Sequence, residues 1–260
     1  MTEQIVTYNL DELISRLSEP GSGAKLVIFI GDNSSGKSFV LRHLSQILQD
    51  SILIPDYRTL AMKFRSFNII HDDMKRFITD FNQLINEFNG TVSVPEDIAG
   101  ELGFRGLRID DNVIRVVMWN GTELLIENSP AGIRSVVPVL LALNSRRFRT
   151  VLIEEPEIHL HPGAQRTIAR HIANAVKAGK YVILTTYSDY LLYTFDNIIG
   201  FYRKNKERGI DPKAVSAYLF KRSGEDTVVF ELEINEYGIQ EDEFGKVADE
   251  MLDERSMIYD

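Results

Sequence analysis

Lys25-Leu-Val-Ile-Phe-Ile30 runs straight into Gly31-Asp-Asn-Ser-Ser-Gly-Lys-Ser38, and Phe39, Leu41, Leu44 and Leu48 follow at helical spacing. The apolar run reads as a buried strand and the spaced apolar residues as one face of a helix. A strand, a G-x-x-x-x-G-K-S loop and a helix, in that order, form a polyphosphate cradle. Gly31 and Gly36 permit the tight turn that aims the N–H groups of Asp32, Asn33, Ser34 and Ser35 at an anion by the helix N-terminus. In such loops the lysine, here Lys37, reaches the β and γ phosphates, and the hydroxyl of Ser38 ligates Mg²⁺. Gly31 to Phe39 is therefore the candidate nucleotide-binding segment.

The 260 residues suit one large domain or two small ones, and with 44% apolar residues they can bury a sizeable core. There is no cysteine, which excludes disulfides, thiolate metal sites and cysteine nucleophiles. The first residues, Met-Thr-Glu-Gln-Ile-Val-Thr-Tyr, lack the basic and apolar regions of a secretory signal. The longest strongly apolar stretch, Val136 to Leu143, is too short to span a bilayer. The expectation is a soluble, cytoplasmic protein with no membrane segment. A net charge of −9 argues against general polyanion binding. Arg146-Arg147-Phe148-Arg149 and the basic run from Tyr202 to Arg208 read either as solvated loop ends or as local nucleic-acid contacts.

Buried-type strands recur at Leu26–Ile30, Ile52–Ile54, Val151–Ile153 and Tyr181–Thr185, with helical patterns between some of them. Ile168, Ile172 and Val176 share one helical face. This rhythm predicts an α/β fold with a mostly parallel sheet and flanking helices. An insertion breaks it over residues 60–105. There Phe67, Ile70, Met74, Phe77, Phe81, Leu84 and Phe88 step by three and four until Asn89-Gly90. The seam reads either as a lid helix packed on its own domain or as a helix that meets a partner. Val113–Met118 and Glu123–Ile126, joined at Asn120-Gly121, read as an antiparallel hairpin, with a further turn at Asp110–Asn112. A second hairpin is expected around Ser223-Gly224, then a polar, acidic helical tail over Glu241–Glu254.

Thr150-Val-Leu-Ile-Glu-Glu-Pro-Glu157 is an apolar strand that ends in adjacent carboxylates. In a parallel sheet the strand ends open onto the ligand crevice. Alternation points consecutive side chains apart. Glu154 suits the Mg²⁺ side and Glu155 suits a general base on the attacking water. His159 and His161 could chelate a metal, but no third ligand is placed beside them.

Asn33 in the loop and the string Glu-Glu-Pro-Glu-Ile-His-Leu-His-Pro from 154 to 162 resemble ABC-type ATPases of the SMC, RecF and OLD group, and most of all their small stand-alone members. The resemblance covers roughly residues 24–245. It implies a single ATP-binding P-loop domain over 1–260, of SMC-head type, with 60–105 as a stub of the coiled-coil insertion. ATP and Mg²⁺ are the implied cofactors. Ser129-Pro-Ala-Gly-Ile-Arg-Ser135 stands at the signature loop, and Gly132 lies 22 positions before Glu154. Thr185-Thr-Tyr-Ser188 stands at the switch loop, with Tyr187 in place of a histidine. The resemblance further implies an ATP-dependent head-to-tail dimer. In it Gly132, Arg134 and Ser135 complete the partner's site, and residues 156–162 run along the seam. Arg58 occupies a place where relatives carry an arginine near the nucleotide, and reads equally as a turn residue.

Tyr187 is not poised near pH 7 as an imidazole is, and Pro130 removes the signature hydroxyl. Two functions are thus open: an ATP-hydrolysing switch acting on a protein effector or on nucleic acid, or a nucleotide-binding module with little hydrolysis. A small-molecule kinase fits poorly with the 117 positions between Lys37 and Glu154.

Overall fold

Five parallel strands place the glycine loop and the acidic strand end on the same edge of one sheet. The computed structural model describes residues 6–18, 23–63, 72–241 and 250–257. In chain order the elements are β1 (Thr7–Tyr8), α1 (Leu10–Ser18), β2 (Leu26–Gly31), α2 (Lys37–Ile47), β3 (Ser51–Ile54), α3 (Arg58–Lys63) and α4 (Asp72–Ile85). Next come β4 (Gly90–Ser93), α5 (Glu96–Leu102), β5 (Phe104–Asp110), β6 (Val113–Met118), β7 (Glu123–Leu125), α6 (Ala131–Asn144) and β8 (Thr150–Glu154). The remainder is α7 (Pro162–Lys177), β9 (Tyr181–Thr185), α8 (Asp189–Lys204), β10 (Val215–Ser223), β11 (Asp226–Leu232), β12 (Ile234–Asn235) and β13 (Gly238–Ile239).

The main sheet has the order β1-β11-β10-β2-β9-β8-β3. Strands β10 through β3 in that order are parallel, β11 pairs antiparallel with β10, and β1 pairs antiparallel with β11. Side chains of β2 alternate between two cores, as the pleat requires. Val27 and Phe29 meet Leu13, Leu17, Val40, Leu41 and Leu44 of α1 and α2. Leu26, Ile28 and Ile30 face the larger core formed with α6, α7 and α8. The fold is the mostly parallel α/β architecture expected. Phe39 departs from the expected apolar stripe: it is 56% exposed, and Val40 takes the buried position beside Leu41 and Leu44.

Strands β4-β5-β6-β7 form a second, antiparallel sheet. Its first tight turn has Asp111 and Asn112 at positive φ, the conformation of a two-residue hairpin loop. The hairpins at Asn120-Gly121 and Ser223-Gly224 are present as well.

The insertion is less helical than its spacing suggested. Phe67 and Ile70 lie outside the described residues. Within α4, Phe77, Phe81 and Leu84 are buried in the main core, so the described turns pack on the chain's own fold. The helix stops at Ile85, before Phe88, and Glu87 beyond it accepts hydrogen bonds from Ser145 Oγ and Arg146 N–H at 2.5 and 2.7 Å. Gly90, expected to end the helix, opens β4 instead, and α5 follows. Of the acidic tail, residues 242–249 lie outside the described residues and 250–257 are helical. Among the described residues no helix is long and apolar enough to cross a membrane.

Candidate functional site

The loop after β2 is shaped by close backbone approach. Gly31 has φ +116°, and a Cβ there would fall on the Phe220 carbonyl of β10. Gly36, at φ +88°, turns the chain into α2. No side chain caps that helix and no acid sits in its first turn, so its first N–H groups are free for an anion. The β10–β11 hairpin braces the loop from behind. Arg222 N–H donates to the Asp32 carboxylate at 3.0 Å, and Thr227 Oγ1 donates to Ser35 O at 3.0 Å. Asp32 N–H in turn donates to Phe220 O at 2.9 Å, so both the carboxylate and the N–H of Asp32 are engaged by β10, away from any anion. Asn33 and Ser34 are exposed at the loop tip.

Lys37 is 3% exposed. Its Nζ donates to Gly31 O at 2.8 Å and to Asp32 O at 2.5 Å, and lies 4.3 Å from the centroid of the Tyr187 ring. Burial pushes its pKa down to about 8, against the pull of Asp32 and Glu155. Tyr187 is held from behind: its backbone N–H and Thr186 Oγ1 both donate to Glu157 Oε1 at 2.8 Å. Burial and the neighbouring Glu155, Glu157 and Asp32 all raise the phenol pKa, so the ring is neutral.

The two carboxylates at the end of β8 diverge. Glu154 is fully buried and accepts from Arg42 Nε at 3.1 Å, Arg42 Nη2 at 3.4 Å and Asp56 N–H at 3.1 Å. Burial raises its pKa and Arg42 opposes the rise. Glu155 sits at φ +46°, a strained conformation for a non-glycine residue. The strain is held by its N–H, which donates to Thr185 O at 3.1 Å. Its carboxyl is half-buried, and burial, then Glu157 and Asp56, raise its pKa. It contributes to the field at Lys37.

Arg58 lies beneath the cleft, not in it. It is fully buried, donating from Nε to Ser135 O and Oγ, from Nη1 to the carbonyls of Pro55 and Glu154, and from Nη2 to the Glu155 carbonyl. The planar fork ties the acidic strand end to the start of α6. Burial lowers its pKa to about 10. This departs from both sequence readings of Arg58, the turn residue and the nucleotide contact.

The signature-like loop opens α6 as expected, but its hydroxyls point inward. Ser135 is fully buried against Arg58, and Ser129, 2% exposed, donates to Ile126 O. Ser135 is thus not placed to reach a second subunit, and no hydroxyl takes the place of the exposed Pro130. Arg134 donates to the Ser129 carbonyl, and Gly132 packs by the His159 carbonyl of the 156–162 segment.

Sequence reading missed Arg42 and passed over Glu157 as a positioning residue. Arg42 follows Ser38 by one helical turn, a spacing that puts both on one face. Nothing in the sequence pairs it with Glu154. Ser38 Oγ makes no hydrogen bond among the described residues and fits a metal ligand. Glu154 keeps lone pairs beyond those Arg42 and Asp56 use, but its carboxylate has no exposed surface, so a metal-bound water reaches it only when Arg42 swings aside. His159 Nε2 lies 3.2 Å from Thr59 Oγ1, and His161 caps α7. Among the described residues no three His, Asp or Glu side chains are grouped to hold a metal.

A glycine loop with an inward lysine, set beside a doubly acidic strand end in a parallel sheet, defines a nucleotide-binding α/β domain. The chain belongs to the AAA ATPase domain family, whose model matches residues 61–192. The match starts after the glycine loop and includes Glu154, Glu155 and Tyr187. No curated protein matches. Solved structures with similarity include archaeal ribosome recycling factor in complex with an archaeal ribosomal stalk protein, at 16% identity and TM-score 0.43. That match covers 80% of this chain and 38% of the other, so the chain spans well under half of that protein's length. An SMC head bound to the C-winged helix domain of ScpA is 15% identical with TM-score 0.42, covering 76% of this chain and 60% of that one. The SMC head domain from Thermotoga maritima is 10% identical with TM-score 0.39, covering 81% and 91%.

Proposed function

We propose that this chain binds ATP with Mg²⁺ between the Gly31–Ser38 loop and the end of β8, and hydrolyses it. The observation that carries the reading is the meeting of Lys37, Glu155 and Tyr187 at one cleft, with the helix α2 N-terminus open beside them. The loop N–H groups and Lys37 bind and orient the phosphates. Lys37 exchanges its bonds to Gly31 O and Asp32 O for phosphate oxygens. Ser38, and Glu154 through water once Arg42 swings aside, would hold Mg²⁺, which would supply charge neutralisation to the phosphates. Glu155 accepts a proton from water as the water oxygen bonds to the γ phosphorus, and the bond from that phosphorus to the β–γ bridging oxygen breaks. ADP and phosphate leave. Glu157 positions the Tyr187 loop and Arg58 positions the Glu155 backbone.

We place the active form as an ATP-dependent dimer in the cytoplasm, with the Gly132 backbone and Arg134 facing the partner's phosphates. Gly132 lies against the 156–162 segment assigned to the seam. A protein effector is the proposed target. The second reading, binding with little turnover, is favoured by the inward Ser129 and Ser135 and by a phenol where an imidazole would stand. Phosphate release by the wild type and by Glu155→Gln separates them. Release lost in the variant supports hydrolysis through Glu155, negligible release from both supports the binding module, and equal measurable release from both removes the role given to Glu155.

A further inference from the structure

A groove of about 690 Å³ runs between α7 and α8 on the surface. Arg166, Arg170 and Lys177 line it from α7, and Arg208 closes its far end. Phe201 of α8, 46% exposed, supplies the apolar surface, over the buried Ile198. Glu207 is the acid among the described lining residues, and its carbonyl holds Lys177 Nζ at 3.0 Å. Arg166, Arg170 and Arg208 join no ion pair among the described residues. Such a patch runs against the balance of a chain with net charge −9.

A complementary surface lies elsewhere in the same chain. Residues 241–260 contain eight acidic and two basic side chains. Residues 250–257 form a helix whose every residue is exposed, including Met251 at 66%, Leu252 at 63% and Met257 at 77%.

We propose that helix 250–257 of one copy docks in the α7/α8 groove of a second copy. Met251 and Leu252 lie on Phe201, and Glu250, Asp253 and Glu254 face Arg166, Arg170 and Arg208. An amphipathic helix in a groove between two helices is a recurrent mode of recognition. A second copy is the occupant because, in one copy, groove and helix are both left open and have opposite charge. Reciprocal exchange closes the pair as a two-fold dimer. This contact needs no nucleotide and does not rest on the ATPase reading.

Sedimentation without nucleotide tests it. The wild type should run at twice the 29.6 kDa chain mass and dissociate as salt rises. Arg166→Glu with Arg170→Glu should run as a monomer, as should Asp253→Lys with Glu254→Lys. The combined four-residue variant should recover the dimer, which excludes misfolding as the cause. A monomeric wild type, a mass unmoved by either pair, or no recovery in the combination overturns the proposal. So does loss of single-stranded DNA binding in the groove variant with no change of mass.

Discussion

The Lys37 ammonium stands 4.3 Å from the centre of the Tyr187 ring, with Gly31 and Asp32 carbonyls on its other side. A buried ammonium held by neutral groups loses its proton early, which explains a pKa near 8 against the ordinary 10.5. Above about pH 8 Lys37 in the free site is mostly neutral, and phosphate must draw a proton back onto it. ATP affinity therefore falls as pH rises through that region, with proton uptake on binding. Calorimetry at pH 9 in two buffers of different ionisation enthalpy should give different apparent heats. At pH 7 the heats should agree for this group. Tyr187→Ala opens Lys37 to water and should move the onset of the decline to higher pH.

Arg42 neutralises a carboxylate that has no access to solvent. Arg42→Ala leaves Glu154 buried without its charge partner and should lower stability by up to about 3 kcal/mol, less than for a fully buried pair because Arg42 is partly exposed. Adding Glu154→Gln to that variant removes the stranded charge and should recover part of the loss. Urea denaturation of the single and double variants measures this. Equal stability of wild type and Arg42→Ala would show the pair to be idle.

Arg58 supplies donors to four backbone carbonyls at once. Arg58→Ala should cost more than about 3 kcal/mol, since those carbonyls lose their partners where water is excluded. Arg58→Lys should recover less than half, because one ammonium cannot replace the fork. A thermal melt of Arg58→Lys matching the wild type would contradict the tie.

Asp196 on α8 accepts the Ile239 N–H at 2.8 Å, and burial raises its pKa to about 6. The folded chain therefore holds a proton that the unfolded chain has already lost between about pH 4 and pH 6. Stability from this group declines as pH rises through that window. Asp196→Asn keeps an acceptor for Ile239 and carries no charge, so it should flatten the decline and raise stability at pH 7, by about 1 kcal/mol once solvent screening of the partly exposed group is allowed for. Denaturation midpoints at pH 4.5 and 7 check both.

The glycine loop, the acidic strand and the hairpins were legible because each is a local pattern. Leu26 to Ile30 can only be a buried strand before a loop that needs Gly31 and Gly36, and Asp110 to Asn112 turns within two residues. Relationships across the sheet left no such mark. Arg42 and Glu154 are 112 positions apart, and Arg58 and Ser135 are 77 apart. Arg58 read equally as a surface turn or a nucleotide contact, because burial of an arginine is rare unless carbonyls converge on it. The helical seam of the insertion was overextended because Phe88 continued the apolar spacing past Ile85, where the helix ends.

The central claim is that Lys37 and the Glu154–Glu155 strand end grip one metal-bound triphosphate. Isothermal titration of Mg·ATP into the wild type and into Lys37→Ala, at pH 7, tests it most directly. The account predicts saturable heat from the wild type and none from the variant. No heat from a folded wild type, or the same isotherm from both, would contradict it.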